Sequence, residues 1–469
     1  MSSNNIKALK SGIWYTASNF LIKSIGFITT PIFTRLLTKY EFGAFNNYTS
    51  WLSIFTIFVT LDLESTLISA RFDFKDKFDE YILSVLSLST ISACLWLIFA
   101  NVFIDPLSKF LTLEKSYINI MLVYLLFLPA INLFQARERY RYEYKKTVAI
   151  SLILSVGTAA LSVLLVTKLE NRLTGRILGA AIPTVIIGFV FCIFFLKKGK
   201  RINLSYWKYA LPICLPFVPH LLSMTFLNST DRVMITRWCG AEDTALYSLA
   251  YSCGAIVTIL LTSVNKAFGP WLGEKITYNQ FDEVRKFSKI YISGFVFAAI
   301  GIMLVSPEIL LILGGKKYQE AIYVMTPVSM GCVCQFLYTM FVNIEQLKKK
   351  TVGMAIASAI AAAVNLLLNW IFIPRVGYLA AAYTTLVGYI VLLVIHMYLV
   401  YRLGLSKAYS YKFVCFTVGF GFFCMVMITL SFRNNLIRYV AIALYITVFA
   451  ILISKYKDRF AVFLNRTKK

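Results

Sequence analysis

The chain has 469 residues, 59% apolar and 15% charged, with a formal net charge of +25 and a mean hydropathy of +0.72. A soluble domain is about half apolar and about a quarter charged, so a water-facing enzyme is excluded and the surplus apolar surface must meet lipid. The positive balance does not indicate nucleic acid, because Lys and Arg gather in short segments between apolar runs long enough to cross the ~30 Å hydrocarbon layer.

No cleavable leader is expected: the first apolar run starts near Ser11 behind Lys7 and Lys10 and shows no small-residue cleavage pattern. The runs predict an all-α integral membrane fold of about fourteen transmembrane helices, at 11–36, 43–67, 79–104, 117–136, 147–167, 175–196, 209–236, 244–267, 287–312, 320–344, 351–372, 377–401, 410–431 and 436–454. With the N-terminus in the cytoplasm, 32 Lys and Arg lie on or near the inner face and 13 on or near the outer face, leaving Lys23 and Arg232 within spans. Short-loop positive charge sets orientation, so both termini are expected in the cytoplasm. Trp207 and Trp238 fall near span ends and suit an interfacial belt. The widest gap, about Asp105 to Ser116, is too short for a catalytic domain.

Sliding the chain by 202 places Thr34-Arg35 on Thr236-Arg237, and Ser50, Ile54, Thr56, Ile57 and Thr60 on identical residues 252, 256, 258, 259 and 262. At an offset of 204, Lys145-Lys146-Thr147-Val148 falls on Lys349-Lys350-Thr351-Val352. Chance matching within an apolar alphabet explains these polar runs poorly, so a duplication is expected: a six-helix lobe at 1–203, a second at 204–405, and two additional helices with a basic tail at 406–469. Units with an even number of spans enter the membrane from the same side and are related by a pseudo-twofold axis along the membrane normal. Two lobes that rock around a midplane cavity make a transporter.

Polar residues mark one face of several spans. Thr16, Asn19, Lys23, Thr30 and Thr34 recur at helical spacing in the first, and Thr49, Ser53, Thr56, Thr60, Glu64 and Arg71 fall within about 80° of one another on the second at 100° per residue. The repeat extends this to Thr225, Ser229, Arg232 and Thr236 in span seven, and to Ser248, Ser252, Thr262 and Lys266 in span eight. A cation at mid-span costs about 2.5–3.5 kcal/mol on an insertion scale, so Lys23 and Arg232 require water, an acidic partner or an anionic substrate. Lys23 superposes on Thr225 and Thr30 on Arg232, a ladder whose rungs are about 10 Å apart. A diphosphate suits such a ladder, because Lys and Arg bind its oxygens with charge-assisted hydrogen bonds. Asn132, with Gln135, Asn365 and Asn369, is divided between cavity lining and interhelical hydrogen bonding.

Glu64 superposes on Lys266 at the cytoplasmic ends of spans two and eight and suggests an inner gate closed by an ion pair, with ordinary interfacial roles as the alternative. Asp62, Glu64 and Asp231 are the titratable candidates for coupling to protons or sodium; Asp231 could equally neutralise Arg232. His220 and His396 read as structural residues. Eight of the nine cysteines lie in apolar runs, and no metal-ligand spacing occurs, so no metal or other cofactor is expected.

The segments TRLLTKYEFGAFNNY at 34–48 and LNSTDRVMITRWCGAEDTALYSLAY at 227–251 resemble the corresponding segments of Wzx-type polysaccharide flippases, and RERYRYEYKKTV at 137–148 resembles that family's basic stretch after helix four. The resemblance implies the multidrug/oligosaccharidyl-lipid/polysaccharide exporter fold, a bacterial inner membrane, and movement of undecaprenyl-diphosphate-linked sugar repeat units to the outer leaflet for O-antigen or capsule synthesis. Relatives usually carry a glycine before the Leu near the end of helix two, where this chain has Asp62-Leu63-Glu64.

Two transporters of the same fold are the alternatives: a lipid-linked peptidoglycan precursor flippase, and a cation-coupled multidrug exporter, for which the spans hold few acids. A membrane glycosyltransferase lacks the aqueous loop it would need. The expected partners are a lipid-linked oligosaccharide, membrane lipids, and polysaccharide polymerase and chain-length proteins, with the chain acting as a monomer.

Overall fold

A chain this apolar must satisfy its backbone hydrogen bonds within each segment once it leaves water, which makes helices the available solution. The computed structural model describes Leu21 and residues 24–141, 143–348 and 350–466, and contains no strand among them. Among the described residues ten helices are long and apolar enough to cross a bilayer, or eleven if one pair bent by 48° counts as a span. Large apolar side chains such as Ile98, Phe189, Trp370 and Phe423 project outward from these helices, a belt tolerated in lipid and aggregating in water.

The first half begins with α1 (24–36) and α2 (Lys39–Thr60), followed by short α3 (Leu67–Asp73) and the spans α4 (Phe78–Val102), α6 (Lys115–Tyr140), α7 (Tyr144–Lys168) and α8 (Arg172–Gly199), with α5 (Ile104–Leu111) between α4 and α6. Next come α9 (Ser205–Cys214) and α10 (Val218–Trp238), then α11 (Ala241–Gly254), α12 (Val257–Thr277), α13 (Phe281–Leu304), short α14 (Ser306–Gly314), α15 (Ile322–Leu347), α16 (Thr351–Val376) and α17 (Tyr378–Arg402). Two further helices, α18 (Tyr411–Ser431) and α19 (Asn435–Arg466), close the chain.

Packing divides these helices into two bundles. One large apolar core runs from Leu227 to Ile428, whereas two others are built chiefly from α2, α4, α6 and α8. The helix α9 joins the first bundle: Tyr206, Ala210 and Cys214 are buried against Leu63 and Tyr81, and the Trp207 Nε1–H donates to the Ser84 carbonyl at 2.7 Å. At the far end Arg438 of α19 reaches Glu308 of α14 at 2.6 Å, tying the appended helices to the second bundle.

Three expectations need correction. Span two is not continuous: Leu61 and Asp62 adopt left-handed φ of 52° and 50°, which ends α2 and bends the following turn. A constant 100° per residue therefore cannot carry its polar face through to Glu64 and Arg71. Asp is among the few side chains that visit this conformation with any frequency. Span eight breaks between Gly254 and Val257. The second repeat register also shifts: α6 ends at 140 and α15 at 347, α7 begins at 144 and α16 at 351, so the structural offset is 207.

Candidate functional site

The two bundles meet along α2, which packs on α10 and α11. Close approach there requires a residue without a side chain: a Cβ on Gly43 would lie 1.6 Å from the Ala241 carbonyl oxygen. Beside this seam the Thr34 hydroxyl donates to the Leu313 carbonyl at 2.6 Å and Arg35 to that of Ile312 at 3.4 Å. Lys317 donates to the Leu37 carbonyl at 2.9 Å, and Lys39 pairs with Glu320 at 2.6 Å. Among the described residues every hydrogen bond and ion pair between the bundles lies at this one end.

Below the seam, adjacent residues of α10 point their charges apart. Arg232 is half-buried, donates to the Asn228 carbonyl at 2.9 Å, and lies over the rings of Tyr251 and Tyr247, 4.9 and 5.9 Å from their centroids. No carboxylate among the described residues pairs with it. One turn away Asn228 is exposed, as is Ser252 of α11.

Asp231, in contrast, is 1% exposed. Its carboxylate accepts hydrogen bonds from Tyr247 at 2.5 Å, Asn369 at 2.6 Å and Thr385 at 2.6 Å. Asn369 also donates to Asn365, which donates to Thr385, while Thr384 donates to Asn369. Four helices, α10, α11, α16 and α17, thus converge on one carboxylate inside the second bundle. Buried polar groups of this kind are stable only when each finds a partner. Thr236, expected on the polar face, is buried and hydrogen-bonded to Thr244 at 2.7 Å.

In the first bundle Glu64, just past the bend, lines a small cavity with Thr60, Ser89, Pro129 and Asn132. Arg71 donates to the Tyr140 carbonyl at 3.2 Å and rests against the Phe72 ring at 4.3 Å. Thr30 donates to the Gly26 carbonyl at 2.9 Å. Asp62 stands at the bend, where its carbonyl accepts from the Ser65 amide and hydroxyl. Asn19 and Lys23 lie outside the described residues, as does the side chain of Lys266.

Sequence reasoning missed Arg176. This half-buried cation of α8 donates to Ser162 at 2.7 Å and lies 3.7 Å from the Phe33 ring centroid and 4.4 Å from that of Phe45. Its position near a span end assigned it to a loop by charge counting, and no linear signal links it to aromatic rings on α1 and α2. The seam was missed for a related reason, since it depends on backbone carbonyls and one glycine.

The fold and the split between the bundles define a class. The solved structure of lipid II flippase MurJ in an inward closed conformation superposes with a TM-score of 0.70 at 14% identity, covering 96% of this chain and all of that one. An inward-facing multidrug resistance MATE transporter of the MOP superfamily superposes at 0.61 with 15% identity, over 83% of this chain and 95% of its own. A Pyrococcus furiosus MOP-superfamily transporter does so at 0.55 with 16% identity, over 86% and 96%. The chain thus has the fold of the MOP-superfamily flippases and transporters. Its family follows from sequence: the model described as polysaccharide biosynthesis protein matches residues 8–275, more than half of the chain, and the chain belongs to that family. The MatE model also matches, at 216–371. A Haemophilus influenzae protein of the Lsg locus is 24% identical over 346 residues, 68% of this chain and 81% of its own length.

Proposed function

We propose that this protein flips an undecaprenyl-diphosphate-linked oligosaccharide from the cytoplasmic to the outer leaflet by rocking its two bundles. The observation that carries the reading is the divergence on α10: among the described residues Arg232 forms no ion pair with a carboxylate, while Asp231 turns into the bundle and is satisfied there. A guanidinium so placed has donors to spare for phosphate oxygens. Lys23, Asn19, Thr30, Asn132 and Arg71 are the companion contacts we assign to the first bundle. The chain works without enzymatic chemistry on this reading.

With both termini in the cytoplasm, the seam at Gly43 and Ala241 is the outer closure, and the structure is the state that receives substrate from inside. Glu64 and Lys266 then form the inner closure in the opposite state. An inside-negative potential favours outward movement of the diphosphate by about 2.3 kcal/mol per charge per 100 mV. Asp231, held by the hydroxyls of Tyr247 and Thr385 and the amide of Asn369, is the carboxylate we assign to a returning proton or sodium ion.

The test is complementation of a bacterial strain lacking its oligosaccharide flippase, scored by surface polysaccharide and by accumulation of lipid-linked intermediate. Arg232→Ala and Lys23→Ala are expected to cut export at least tenfold at unchanged membrane levels. Undiminished export in both would remove the diphosphate-binding role. The superposition on MurJ favours one rival, a peptidoglycan-precursor flippase; rescue of a strain depleted of that activity, without rescue of polysaccharide export, would select it.

A further inference from the structure

The two halves place a buried glutamate at the same point of the fold and neutralise it differently. At the shift of 207, Glu138 of α6 corresponds to Glu345 of α15. Each is 1% exposed, and each gives its carbonyl to the amide five residues on, Glu143 at 2.9 Å and Lys350 at 3.0 Å. Both donor residues, Glu143 and Lys350, then cap the next helix with similar backbone angles, −86° and 55° against −94° and 58°.

Around Glu138 the matching charges are permanent. Arg137 hydrogen-bonds it directly and Lys146 lies at 3.3 Å, while Asp79 holds Arg137 at 2.6 Å. The second bundle has none of these cations: the position of Arg137 is taken by Ile344, fully buried, and that of Lys146 by Gly353. Glu345 Oε1 instead meets the Nδ1 of His396 on α17 at 2.7 Å. The imidazole is 2% exposed and stacked on Tyr338 at 5.6 Å. The other carboxylate oxygen, Oε2, is buried with no hydrogen-bond partner among the described residues.

We infer that Glu345 and His396 form a proton-binding site that couples transport to a proton gradient, distinct from the Asp231 cluster. Loaded, the pair shares one proton between Nδ1 and Oε1 and is neutral overall. Releasing that proton leaves a carboxylate beside a neutral imidazole, a buried charge that the surrounding apolar core opposes. Histidine exchanges its proton within the physiological range, which Arg137 and Lys146 do not. The site around Glu138 is therefore fixed in charge, and the site around Glu345 is not.

The titratable neighbours are phenols. Tyr338 and Tyr389 stack together between α15 and α17, Tyr409 donates to the Met340 carbonyl, and Tyr411 to that of Met397. Tyr291 of α13 packs against Phe336, and α12 contributes Asn265, bonded to Asn343. Among the described residues the charged groups at this end are engaged elsewhere or exposed: Lys275 with Glu283, Arg285 with Asp282, Lys289 over Phe413, Arg402 with Tyr398, and Lys348, Lys350, Lys407 and Lys412 at the surface.

This inference rests on the flippase reading for its purpose but not for its test. Infrared difference spectra of the full-length protein in detergent, taken between acid and alkaline buffer, read carboxyl protonation without substrate. The wild type is expected to show a buried-carboxyl band that Glu345→Gln abolishes and that His396→Gln moves by at least one pH unit. His396→Arg copies the permanent pairing of the other bundle; it is expected to fold, lose the band, and export polysaccharide at a rate indifferent to a protonophore. A band unchanged in both histidine variants, or surviving in Glu345→Gln, overturns the proton site and leaves the flippase reading intact. A titrating pair in a protein that fails to restore polysaccharide export would overturn the flippase reading instead.

Discussion

The first bundle solves its buried-polar problem with permanent charge and the second mainly with hydrogen bonds. Asp79, Arg137, Glu138 and Lys146 form a chain of ions at the mouth of α4, α6 and α7. Asp231 is met by a phenol, an amide and a hydroxyl, and Glu345 by an imidazole. Two bundles of one fold need not share their electrostatics: Glu138 is met by permanent cations, whereas Asp231 and Glu345 are met by hydrogen-bonding groups without one.

The sharpest way to break this contrast is Arg137→Met, which leaves Glu138 and Asp79 without their shared cation. Removing one partner of a buried ion pair costs about 3–5 kcal/mol, so the variant is expected to lose most of its folded yield in thermal melts in detergent. Asn369→Ala in the second bundle strips one donor from Asp231 and a partner from Asn365 and Thr384, at about 1–3 kcal/mol. A loss equal to that of Arg137→Met would erase the distinction. Lys39→Ala removes an exposed cross-bundle pair worth about 0.2–1 kcal/mol; its melting point should barely move, while cysteines at 39 and 320 should crosslink in the closed state.

The smallest effect concerns pH. Burial alone would raise the Glu308 carboxyl, but its hydrogen bond and charge interaction with Arg438 outweigh this and hold it below the usual glutamate value. Its contribution is thus present above the unfolded value and lost as pH falls through the lowered folded one. Glu308→Gln should melt slightly earlier than wild type at neutral pH, with the difference vanishing in acid.

Much of the architecture was legible because composition alone demands spanning helices and the Thr-Arg match at an offset of 202 agrees with the ends of α1 and α10, whereas the Lys-Lys-Thr-Val match lies three residues off the structural register. The interruptions were harder to see. Leu61-Asp62 contains neither glycine nor proline, so nothing local announces a bend. Arg232 stood out as a cation in mid-span, yet the fate of Asp231 depended on Tyr247, Asn369 and Thr385, which lie up to 154 residues away. Arg176 and the Glu345–His396 pair depend likewise on contacts between distant helices, which a one-dimensional pattern does not encode.

The corner after α2 has a mechanical meaning. Two consecutive residues with side chains are held there at positive φ, and the strain rests mainly on Leu61, because Asp visits this region more readily. Leu61→Gly is therefore expected to relieve about 1–2 kcal/mol at this elbow, so the corner that ends α2 is kept by the packing around it and not by any preference of its own residues.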